Sequence, residues 1–165
     1  MTELYIIRHG LAGEHGSYAN DDERPLTEDG QRKTKKVAKR LCELGLSADL
    51  ILTSPLVRAR QTADILLNAG FSKALEESAY LAPDGSFEEW LTWLNRWRSS
   101  GSTTLALVGH EPDLSSWAER LLWDSVGQRF ILKKAGVIGL TLPDTGSPVG
   151  KSQLFWLTSP KFLLA

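Results

Sequence analysis

Hydrophobic positions along this chain fall into two kinds of run. Leu4 to Ile7 is a short apolar stretch ended by Arg8, His9 and Gly10, which predicts a buried strand feeding a loop. The signal returns at Asp49 to Thr53 and at Thr104 to Val108, the latter ended by Gly109 and His110. Elsewhere the apolar positions follow helical spacing: Val37, Leu41 and Leu44; Trp90, Trp93, Leu94 and Trp97; Leu114, Trp117, Ala118 and Leu121. Val137 to Leu142 and Gln153 to Leu157 predict two closing strands on either side of a Pro143 to Gly150 turn region.

Polar and special residues punctuate these runs. A long polar loop covers Leu11 to Arg24, after which Thr27 is an N-cap with Glu28 and Asp29 in the first turn, and Gly45 can end that helix. Ser54 and Pro55 suit the N-cap and first position of a helix reaching Asn68, which places Arg58 in its first turn. Pro112 fits the first position of another. The strand-then-helix rhythm predicts a single α/β domain over residues 1–165, a central mostly parallel sheet flanked by helices on both faces.

Composition narrows the function. With 42% hydrophobic residues and six tryptophans the chain can build one substantial core, and Trp90, Trp93 and Trp97 are read as part of it. A net charge of -1, from interleaved acids and bases, recommends neither nucleic acid nor membrane as a partner. The charged start at Glu3 and Arg8 and the lack of a long apolar run predict a soluble, cytoplasmic protein. The lone Cys42 is expected to be a buried structural thiol. Oligomeric state is not legible.

Ligands of open α/β sheets bind beyond the carboxyl ends of the strands, where three predicted strands deliver Arg8-His9, Ser54 to Arg58, and His110-Glu111. Two arginines grip phosphoryl oxygens through paired hydrogen bonds, and helix first turns add free N–H groups. Neighbouring cations keep one imidazole unprotonated and able to attack phosphorus, while a second, protonated in the field of a bound dianion, can stabilise equatorial charge.

The segments carrying these residues, LYIIRHG (4–10), PLTEDG (25–30), TSPLVRARQTA (53–63) and VGHEP (108–112), resemble in order the motifs of the histidine phosphatase superfamily, also called phosphoglycerate mutase-like. The resemblance covers roughly the first 115 residues. It implies that His9 is the nucleophile that becomes phosphorylated, that Arg8 and Arg58 bind the phosphoryl oxygens, and that His110 completes the pocket. Many members place a glutamate as general acid where this chain has Leu81-Ala82-Pro83. Asp84 beside that gap is read as a turn residue, or else as a substitute acid; an acid from the Glu14 to Glu23 loop is the other candidate.

A small chain without that acid resembles the compact SixA-type phosphohistidine phosphatases. The implied substrate is a phosphorylated protein, the histidine phosphotransfer domain of a bacterial-type hybrid sensor kinase, in signal transduction; a phosphoimidazole can be protonated by solvent and needs no enzyme acid. The alternative is a small phosphoester or sugar phosphate. A non-catalytic phosphate- or phosphoprotein-binding module is a third reading, opposed by the unblocked His9.

The remaining polar residues each carry two readings. Glu111 orients the pocket or caps the following helix; Ser54 is an N-cap or a phosphate ligand; His15 is solvated or touches substrate. The basic run Arg32, Lys33, Lys35, Lys36, Lys39 and Arg40 solvates an outer helix face or docks an acidic partner. No sequence-local ligand pair suggests a metal, so neither metal nor cofactor is expected. The last residues, with Phe162, Leu163 and Leu164, are expected to be buried somewhere.

Overall fold

The computed structural model describes residues 1–165. One six-stranded sheet forms its frame: β1 (Thr2–Arg8), β2 (Leu50–Thr53), β3 (Leu75–Glu77), β4 (Thr104–Gly109), β5 (Val137–Leu142) and β6 (Gln153–Thr158), in the order β3-β2-β4-β1-β5-β6. The first four pair in parallel, and β5 and β6 join antiparallel beside β1. The central strands are buried on both faces, which is why they read as continuous apolar runs.

Five helices cover the sheet: α1 (Glu28–Glu43), α2 (Val57–Asn68), α3 (Phe87–Arg98), α4 (Asp113–Trp123) and the short α5 (Pro160–Leu163). The pleat sends alternate residues to opposite sides. Leu4, Ile6, Leu52 and Leu107 meet Trp90, Leu94, Leu114 and Trp117 from α3 and α4. On the other face Tyr5, Ile7, Ile51 and Val108 meet Val37, Leu41, Ala63 and Leu66 from α1 and α2. Each large apolar side chain buried this way contributes about 1.5–3 kcal/mol.

Several sequence expectations need correction. Helix α2 starts two residues later than Ser54 and Pro55 suggest, with Leu56 at its N-cap. The Ser54 N–H still extends the sheet ladder to the Val108 carbonyl at 2.9 Å, so the chain turns only after Pro55. Pro112 is likewise the N-cap of α4, and Asp113 its first residue. Asp49 lies just before β2, its N–H donating to the Thr104 carbonyl at 2.8 Å and its carboxylate accepting the Thr103 and Thr104 N–H groups. The edge strand β3, Leu-Glu-Glu, has no apolar pattern to announce it.

Burial differs in three places. Cys42 is half-buried, its thiol donating to the Ala69 carbonyl at 3.5 Å, because it flanks the α1 core stripe. Leu44 lies just past the end of α1 and is exposed. At the carboxyl end Pro160 and Leu163 pack into the core, whereas Phe162, on the opposite side of the single turn of α5, is 72% exposed. Thr27 does cap α1, accepting the Gly30 N–H at 2.9 Å, and Gly45 follows it at φ +80°. No helix is long and apolar enough to cross a membrane.

Candidate active site

Strands β2, β4 and β1 are neighbours and parallel, so their carboxyl ends lie side by side. That juxtaposition gathers Ser54, His110, Arg8 and His9, and the first turn of α2 adds Arg58. The backbone around His9 is pinned: its N–H donates to the Gly109 carbonyl at 3.1 Å, and its carbonyl accepts the Ala135 N–H at 3.1 Å. Gly10 follows in a crowded spot, where a Cβ would stand 2.3 Å from Thr34 Oγ1.

His9 is buried, and its ring centroid lies 5.2 Å from that of His110. Its Nδ1 is 2.7 Å from the Gly10 carbonyl oxygen, which can only accept. The proton therefore sits on Nδ1 and the lone pair on Nε2. Burial pushes the His9 imidazole down to about 3, and His110, Arg58 and Arg8 push the same way against the Gly10 hydrogen bond. The ring is thus a neutral base with a free nitrogen, the state a nucleophile needs.

His110 is built as a donor. The Ser54 hydroxyl accepts the Leu56 N–H at 3.2 Å and lies 2.8 Å from His110 Nε2. Pairing the hydroxyl proton with Nε2 satisfies both groups and leaves the His110 proton on Nδ1, a buried atom with no partner in the protein. Burial lowers the His110 imidazole to about 4, with Arg58 and Arg24 adding to the effect.

The arginines are fixed differently. Arg8 Nη1 donates to the Leu132 carbonyl at 2.9 Å. Arg58 donates through Nη1 to the Asp21 carbonyl at 2.8 Å and through Nη2 to the Asp21 carboxylate at 3.2 Å. The Nε of each arginine is buried without a partner. Two unpaired guanidinium N–H groups and the unpaired His110 Nδ1 make a concentrated set of donors, which an oxyanion satisfies.

Sequence reasoning missed three residues here. Arg24 lines the pocket, held by the Asp21 carboxylate at 2.8 Å and the Gly13 carbonyl at 2.7 Å. Lys134 also lines it, and Asp21 links Arg24 to Arg58. The one available signal was the position of Arg24, a cation closing the polar loop directly before Pro25. Asp21 falls in the Glu14 to Glu23 loop considered as a source of an acid, with nothing to mark it as a partner of the arginines, and Lys134 gave no signal.

The residues left with two readings now have places. Glu111 lines the pocket, but its carboxylate accepts the Ser115 N–H at 2.8 Å and the Ser115 hydroxyl at 2.6 Å, so it caps α4. Asp84 occupies a left-handed turn at φ +63°, donates its N–H to Asp113 at 2.8 Å, and stands outside the pocket, although Pro83 lines it. Glu14 and His15 lie exposed at the mouth. The cavity measures about 490 Å³, and no group of three or more His, Cys, Asp or Glu side chains is arranged to hold a metal ion.

Comparison with known proteins identifies the family and the fold. The model of the histidine phosphatase superfamily (branch 1) matches residues 4–120. An uncharacterized protein of Picosynechococcus sp. is 48% identical over 163 residues, 98% of this chain and 99% of that one. The structure of the protein histidine phosphatase SixA complexed with tungstate superposes with a TM-score of 0.85 at 23% identity, covering 98% of this chain and 99% of that chain. The alpha-ribazole phosphatase of Shigella flexneri superposes at 0.70 and 18% identity, covering 96% and 97%. At these identities the superpositions establish a shared fold.

Proposed function

This chain belongs to the histidine phosphatase superfamily, and from that premise we propose that it hydrolyses phosphohistidine in a phosphorylated protein, with His9 as the nucleophile. In the first step His9 Nε2 attacks phosphorus in line. The Nε2–P bond forms as the substrate P–N bond breaks, and the substrate imidazole, already protonated on its other nitrogen by solvent, leaves neutral. Water then attacks the phosphohistidine, releasing inorganic phosphate and restoring His9. Arg8, Arg58 and His110 Nδ1 donate to the phosphoryl oxygens throughout, with Arg24 and Lys134 adding positive charge.

The observation that carries the choice of substrate is the commitment of the nearby carboxylates. Asp21 is held below the usual carboxylate range by Arg24 and Arg58, and so is a poor proton donor. Glu111 is tied to Ser115, and Asp84 stands outside the pocket. An alcohol leaving group requires such a donor, whereas a phosphoimidazole does not.

One observation favours a second reading, a small-molecule phosphoester phosphatase. Glu14 lines the mouth, and no hydrogen bond engages its carboxylate.

The test is phosphate release from a phosphohistidine protein, phosphoglycerate and phosphotyrosine, with a folded His9→Ala variant as control. Preference for phosphohistidine that disappears in the variant is expected. Faster release from the esters would replace the substrate assignment, and silence on all three would leave a binding module.

A further inference from the structure

A second depression opens off the catalytic pocket and shares Arg8, Leu11 and Lys134 with it. At about 960 Å³ it is twice the size of the catalytic cavity and far larger than a phosphoryl group needs. Its walls come from three elements: Arg32, Lys33 and Lys36 on α1, Lys133 and Lys134 on the segment before β5, and Lys161 beside α5 residue Phe162. With Arg8 that makes seven cationic side chains against one carboxylate, Asp29, which pairs with Arg32. The chain as a whole carries a net charge of -1, so this is a local concentration of positive charge.

The spacing on α1 explains part of it. Positions 29, 32, 33 and 36 fall at three- and four-residue intervals and share one helix face, beside the buried stripe of Val37 and Leu41. The other side of the groove ends in Phe162, 72% exposed, an aromatic ring that the core does not use.

We propose that this groove docks an acidic segment of the phosphorylated partner protein, aligning the phosphorylated residue with His9. The inference rests on the phosphohistidine-protein reading above and supplies the class of partner.

A protein segment suits these walls better than a compact polyanion does. The cations are mostly lysines, exposed and spread over three elements. Flexible point charges of this kind steer and tolerate an irregular acidic surface, whereas a small phosphorylated ligand is gripped by forked arginines and fixed amides. Aromatic side chains such as the exposed Phe162 are also enriched at protein interfaces.

The test uses two fluorescent 15-residue peptides with a central histidine, one flanked by glutamates and the other by glutamines. Binding of the unphosphorylated pair is measured by anisotropy against the wild type and a Lys33→Glu, Lys36→Glu, Lys161→Glu variant of unchanged melting temperature. The wild type is expected to bind the acidic peptide about tenfold more tightly, with an affinity that falls as salt rises, and the variant to lose that preference. Hydrolysis of the phosphorylated pair is then expected to show the same preference in kcat/KM, while free phosphohistidine is turned over equally by both proteins.

Equal binding of the two peptides by the wild type, or a preference that survives charge reversal, overturns the docking groove. Displacement of the acidic peptide by ATP at concentrations well below the peptide's own Kd overturns it in favour of a small polyanion. Because binding is read without turnover, failure of the phosphohistidine chemistry shows separately, as absent hydrolysis of both phosphopeptides and of free phosphohistidine.

Discussion

The Asp21 carboxylate lies 3.2 Å from Arg58 Nη2 and 2.8 Å from Arg24 Nε, so one acidic side chain holds two pocket arginines together. The arrangement has two opposed effects. It keeps Arg58 oriented, and it places negative charge beside the site an anion enters. Asp21→Asn is therefore expected to tighten inorganic phosphate binding while kcat falls about tenfold, because Arg58 loses its orientation. Arg58→Ala is expected to cost about 100-fold or more. Adding Asp21→Asn to Arg58→Ala should then cost little further, and a double-mutant cycle in kcat checks that coupling.

The two pocket histidines set a pH dependence. Burial and the arginines depress His9 to about 3 and His110 to about 4, below the roughly 6.5 of an unfolded histidine. Between those values the unfolded chain binds more protons than the folded one, so stability is full above about pH 6.5 and falls as pH drops toward the folded values. Denaturant midpoints measured from pH 7 to 5 should decline, and less steeply in His9→Gln than in the wild type. The imidazole resonances of His9 and His110 should not titrate across that range; a midpoint near 6.5 for either would contradict the geometry.

How legible all this was depended on the kind of contact. Leu4 to Ile7 and Thr104 to Val108 announced themselves because parallel central strands are apolar on both faces, and the polar residues ending them had to meet at one sheet rim. Strand β3 carries no such pattern, since Leu75 to Glu77 pairs only along one edge. Arg24 and Lys134 reach the pocket from loops and Asp21 from the short 3-10 turn Asp21–Glu23, segments whose course depends on contacts such as Arg24 with Gly13 and Ala135 with His9, pairings that no periodicity encodes. The true start of α2 was hidden because Ser54 pairs with His110, far away in sequence, as well as with its own turn.

Glu119 links fold to site. It is fully buried, and its carboxylate accepts the Gly127 N–H at 2.9 Å, the Arg129 N–H at 3.3 Å and Arg129 Nη1 at 2.8 Å. These bonds fix the segment that leads to Leu132, whose carbonyl holds Arg8. Glu119→Ala strands two backbone donors and should lower stability by about 2–4 kcal/mol. Glu119→Gln retains an acceptor and should cost less. Urea titration measures the stability, and a fall in kcat of the folded Ala variant would report slackened support of Arg8.

Glu14 separates the two substrate readings. It sits at the pocket mouth on the polar loop, exposed, and no hydrogen bond engages its carboxylate. If the leaving group is imidazole, no enzyme acid is needed, and Glu14→Gln should leave phosphohistidine turnover within about twofold of the wild type. If the enzyme acts on phosphoesters, the departing alkoxide must take a proton as the bond to phosphorus breaks. Removing the donor should then cost about 100-fold or more. Measured on phosphohistidine and on phosphotyrosine, the same variant asks both questions: a large loss on the ester alone would mark Glu14 as a real but dispensable acid. A large loss on phosphohistidine would show that this P–N bond is not cleaved without help from the protein.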